Sequence, residues 1–135
     1  MTCHLEIPLA PVSWGELLDK ITILEIKSER LKEANALSNV RKELDLLTPL
    51  ASRAFKSSSA LLAEKAKLLV INESLWEIED RIRAKEAAKN FDAEFIELAR
   101  SVYKTNDERA MIKRRINELL SSELFEEKSY TLYSR

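Results

Sequence analysis

Apolar residues recur at three- and four-residue steps over most of the chain, the spacing of one face of an α-helix. In "VSWGELL", Ser13 and Glu16 form a capping box and Val12 and Leu17 are spaced for a hydrophobic staple, so a helix starts there. It runs through "ELLDKITILEIKSERLKE" with Leu17, Leu18, Ile21, Ile23, Leu24, Ile26 and Leu31. That apolar arc is wider than a surface helix requires, which predicts a central helix. "NALSN" is the expected first break, because Asn and Ser compete for backbone hydrogen bonds. The second helix carries Val40, Leu44, Leu47, Leu50 or Ala51, and Ala54. Pro49 falls inside it and is expected to kink or end it, with Thr48 biased away from helical angles.

After a second break at "KSSSA", Leu61, Leu68, Leu75 and Ile82 keep a seven-residue spacing, joined by Leu62, Leu69 and Trp76. This predicts a helix to about Lys89, roughly 45 Å long. "KNFD" ends it, with Asp92 or Asn90 as the next cap. A fourth helix carries Phe95, Ile96, Leu98, Ala99, Val102 and Tyr103, then Ile112, Ile116, Leu119 and Leu120. Thr105 and Glu108 are spaced to open a fifth helix, but the absence of Gly and Pro favours one continuous or gently bent helix. The segment "HLEIPLAPV" reads as extended chain, with an edge strand over His4 to Ile7 that could pair with the β-forming "KSYTLY". The expected fold is therefore all-α: a single helical domain over residues 1–135, a bundle of four or five helices with long antiparallel helices and short extended termini.

Two apolar lines are interrupted by polar residues. On the last helix Phe95, Ala99 and Val102 lead into Asn106, Arg109 and Lys113. On the third, Asn72 and Glu79 break the line through Leu68, Leu75 and Ile82. A buried polar group without a partner costs about 1 to 3 kcal/mol, so the two interruptions are expected to answer each other. Glu79 is the expected acceptor for Arg109 and Lys113, with Asn72 and Asn106 beside them. One outcome is a structural network that fixes register. The other is a polar pocket between helices, a candidate binding site formed by Asn72, Glu79, Asn106, Arg109 and Lys113.

Composition narrows the chemistry. Gly15 is the one glycine, and no Gly or Pro follows Pro49. With 33% charged residues and a net charge of -1, the chain has no global electrostatic pull toward nucleic acid or an anionic membrane. No run approaches the length of a membrane span, and the N-terminus lacks the basic start of a secretory signal, so a cytoplasmic protein is expected. Cys3 and His4 are the sole residues of their kinds, too few for a zinc site, and no cofactor is expected. Acidic pairs three residues apart, such as Glu77/Asp80, could hold Mg²⁺, but chance alone yields roughly four such pairs at this acidic content. "KRR" at Lys113 to Arg115 is too short to track a nucleic acid, and the lone Gly15 makes no phosphate loop. Trp14 and Trp76 read as core residues.

The phrases "GELLDKITILEIKSERL", "NESLWEIEDRIR" and "FIELARSVYKTNDERAMIKRRIN" resemble a family of short bacterial proteins catalogued as a domain of unknown function. The resemblance covers Gly15 to about Tyr130 and implies no activity. Asp19, Lys20, Asn72, Glu73, Trp76, Asp80, Arg100, Asn106, Asp107 and Arg109 lie within the shared phrases. The expected role is a non-catalytic helical interaction module, in which long helices in a small chain leave apolar surface for a homodimer to cover. The alternative is an anionic small metabolite held in the polar pocket, with or without Mg²⁺.

Overall fold

The computed structural model describes Cys3 and residues 5–133. Among them the order is α1 (Trp14–Arg30), α2 (Ala34–Ser57), α3 (Ala60–Ala87) and α4 (Ala93–Leu119), with no strand. α1 is the centre of the bundle. Eight of its 17 residues are buried, and it packs against each of the other three helices. Its Leu18 and Ile21 meet Leu61 and Leu68 of α3, Ile116 of α4, and the small side chains Ala51 and Ala54 of α2. Small residues there bring α2 close enough to seal the core.

α3 and α4 form an antiparallel hairpin. Arg81 and Lys85 pair with Glu94 at the turn end, and Glu64 approaches Arg115 at the other. Asp92 caps α4 by accepting from the Phe95 amide at 3.0 Å, while Lys89 takes the left-handed backbone that turns the chain (φ 55°). α4 also runs antiparallel to α1, as Gly15 lies by Asn117 and Asp19 by Arg109.

Several local expectations change. The first break falls at Leu31–Glu33, and "NALSN" lies inside α2. The Glu33 carboxylate accepts from the Asn35 and Ala36 amides at 2.9 and 2.8 Å, so a helix starts where Asn and Ser alone would argue for a turn. Pro49 does not end α2. Asp45, whose carbonyl would have paired with the missing amide, and Pro49 are both exposed, so water can serve that carbonyl. α4 is continuous through Thr105 and Glu108. Its buried positions are Leu98, Ile112, Lys113, Ile116 and Asn117, whereas Phe95 and Val102 are half-buried and Ala99 is exposed. Burial concentrates in the half of α4 that lies along α1.

The edge-strand expectation is not met among the described residues. Leu5, Ile7 and Leu9 lie outside any helix or strand and are exposed, and His4 lies outside the described residues. The C-terminal segment instead folds back along α4, with Glu126 on Lys113 and Glu127 on Arg114.

Candidate functional site

The first turn of α1 is buried against the end of α4, and its free amides need acceptors. Ser13 Oγ accepts from the Glu16 amide at 3.1 Å, Asn117 Oδ1 from Gly15 at 2.7 Å, and Ser122 Oγ from Trp14 at 3.4 Å. Gly15 permits this approach. A Cβ there would lie 2.5 Å from the Lys113 carbonyl oxygen and 3.0 Å from Asn117 Oδ1.

One turn on, three helices converge on Asp19 of α1, which is 1% exposed. Arg109 of α4 grips its carboxylate with two donors: Nε reaches Oδ1 at 2.8 Å, and Nη2 contacts Oδ2. Asn72 of α3 donates to Asp19 Oδ1 and Thr22 Oγ1, both at 2.9 Å, and Thr22 Oγ1 donates back to the Asp19 carbonyl. Asn106 accepts from Arg109 Nη1 at 3.3 Å. Lys113 lies 3.7 Å from Asp19 Oδ2 and donates to Glu16 at 2.8 Å and Glu126 at 3.0 Å.

The electrostatics follow from this geometry. Burial pushes the Asp19 carboxyl up, but hydrogen bonds from Arg109 and Asn72 and the charges of Arg109 and Lys113 outweigh it and hold it below its ordinary value. The Asp19 hydrogen bond likewise raises Arg109. Burial works against the Lys113 ammonium, while its bonds to Glu16 and Glu126 raise it above the usual lysine range.

Four of the five sequence-derived candidates, Asn72, Asn106, Arg109 and Lys113, come together here. Glu79 does not. It pairs with Arg83 of its own helix at 3.4 Å and is 47% exposed, so the expected Glu79–Arg109 contact is replaced by Asp19–Arg109. Asp19, Thr22, Glu16 and Glu126 were missed. Asp19 had left a signal, as a carboxylate inside the apolar arc of the first helix, but the acceptor was sought on the third. Glu77 of the Glu77/Asp80 pair contacts Arg30. Among the described residues no three or more Asp, Glu, His or Cys side chains are grouped to hold a metal, and no helix is long and apolar enough to cross a membrane.

A family sequence model described as a family of unknown function, DUF6165, matches residues 9–134. The chain belongs to that family. In DUF6165 terms, the matched region takes in all four helices and every residue of the Asp19 cluster. Neither a curated protein nor a solved structure matches the chain.

Proposed function

We propose that this DUF6165 protein is a non-catalytic helical interaction module that works as a homodimer, its copies meeting on the outer face of the α3–α4 hairpin. The observation that carries the reading is the closure of the polar cluster: the cations that could have met an anionic metabolite are paired within the chain. Arg109 is turned onto Asp19, and Lys113 onto Glu16 and Glu126. An incoming anion, alone or with Mg²⁺, would have to break these pairs and strand Asp19, a heavy penalty for a buried carboxylate. The metabolite reading therefore ranks second.

What remains open is apolar. Leu62, Ala66 and Val70 follow one line along α3; Leu62 and Val70 are 60% exposed and Met111 of α4 is 51% exposed. Ala66, Val70 and Met111 line a groove of about 580 Å³ edged by Lys67, Glu108 and Arg115. Opposite charges side by side suit a two-fold interface, in which Glu108 of one copy faces Lys67 or Arg115 of the other, both of which touch Glu64 within the chain yet stay about half exposed. The surface area points the same way. The chain exposes 9807 Å², against about 7,200 Å² for a compact monomer of its mass. The exposed segment around Leu5 and Leu9 accounts for part of the excess, but a standard interface needs only about 800 Å² from each partner.

Light scattering on a sizing column tests the surface. Val70→Glu puts a charge in the wall of the groove and is expected to convert a dimer to a monomer with the helical circular dichroism unchanged and a melting temperature that no longer rises with protein concentration. A Val70→Glu protein that still runs as a dimer would move the interface elsewhere.

A further inference from the structure

After Ser122 the chain turns back and forms a strap over α4, fixed at two places. At one end Glu126 pairs with Lys113, Glu127 with Arg114, and the Phe125 ring lies 5.3 Å from the Arg114 guanidinium. At the other, the Tyr133 hydroxyl donates to Asp107 Oδ2 at 2.6 Å, and its ring meets Tyr103 edge-on with centroids 5.2 Å apart. Between these anchors the strap arches away from the helix over a cavity of about 760 Å³.

That volume falls within the roughly 300–1,000 Å³ usual for small-molecule sites. Its floor is Val102, Ala110 and Met111, and its sides carry Tyr103, Tyr130 and Tyr133. Such a lining suits a flat aromatic body, since tyrosine rings stack on or edge against aromatic faces at little entropic cost. Two donors line the cavity. Asn106 engages Arg109 through its oxygen, and its amide nitrogen donates to no other group among the described residues. Lys128 brings an ammonium that pairs only loosely, 3.5 Å from Glu126 and 5.7 Å from the Tyr130 ring.

We propose that this cavity binds a small aromatic carboxylate, its ring between the tyrosines and Met111 and its carboxylate on Lys128 and the Asn106 amide. Asp107 also lines the cavity, with the Tyr133 hydroxyl on its carboxylate. The site adjoins the closed Asp19 cluster and does not depend on the dimer surface, although Met111 borders both grooves. Asn106 links it to the cluster: the residue that would hold the ligand also steadies the arginine that grips Asp19.

The test uses the full chain with 2-naphthoate as probe, followed by calorimetry and by the methyl resonance of Met111. Saturable binding at one site per chain is expected, with the Met111 methyl shifting in step with the heat. Lys128→Gln, on the exposed strap, is expected to weaken binding about fivefold. Ala110→Phe, which fills the floor, is expected to abolish it at an unchanged melting temperature, whereas Val70→Glu should leave it intact. Absence of saturable binding, or binding that survives Ala110→Phe, overturns the proposal. Tighter binding of 2-naphthylmethylammonium than of 2-naphthoate overturns it too, because Asp107 rather than Lys128 would then set the charge preference.

Discussion

Gly15 is the residue whose role is most purely geometric. Alanine is normally the better helix former, yet a Cβ at position 15 runs into a backbone carbonyl of α4, which cannot swing aside as a side chain can. Gly15→Ala is expected to destabilise by about 1 to 3 kcal/mol through forced separation of α1 and α4, read as a lower denaturation midpoint. Ser13 acts on the same turn by capping, and Ser13→Ala should cost about 1 kcal/mol. Neither effect has the same legibility in the sequence. Ser13 declares itself through Glu16 three residues on, whereas a lone glycine in a first turn does not say which neighbour comes close. Asp19 and Lys113 are the cluster's contributions to the pH dependence. Asp19 is held below its ordinary value, so its contribution is complete above the unfolded value of about 3.9 and is lost as pH falls through the folded one. Lys113 is raised, so its contribution is complete below about 10.4 and is lost as pH rises through its folded value. Denaturant midpoints should be flat between these limits, and Asp19→Asn should flatten the acid limb of the profile.

At the scale of elements, the cluster ties α1, α3 and α4 at one level and so fixes how far each may slide along the others. Removing one member of a buried pair typically costs about 3 to 5 kcal/mol, because the other is left charged and poorly solvated. Asp19→Leu and Arg109→Met should each lower stability by that order, and the double change by less than their sum. Glu79→Ala should cost under about 1 kcal/mol, since its partner Arg83 is exposed on the same helix. Additive effects from Asp19 and Arg109 would show that the two act independently. The polar breaks in the apolar lines of α3 and α4 were readable because periodicity reports which face a residue occupies. The identity of the acceptor was not, because periodicity carries no information on register between helices. Asp19 and Glu79 both fit the pattern, and only packing places Asp19 against Arg109. The first break failed for another reason: Glu33 caps α2 by accepting from the Asn35 and Ala36 amides, a place usually taken by Ser, Thr, Asp or Asn.

On the scale of the whole molecule, the central helix and the antiparallel hairpin followed from the width of the apolar arc on α1 and the short connections. The path of the C-terminal segment did not. Its β-forming residues suggested pairing with the other terminus, but the ion pairs of Glu126 and Glu127 draw it along α4 instead. The single chain pairs Arg109 and Lys113 internally and presents an apolar face on α3 and α4, through which we propose that it self-associates. Sedimentation equilibrium of the full chain over a concentration series tests it most directly. A species of twice the 15.5 kDa chain mass is expected at micromolar concentration, relaxing toward the single-chain mass on dilution. A mass of 15.5 kDa at every concentration would contradict it.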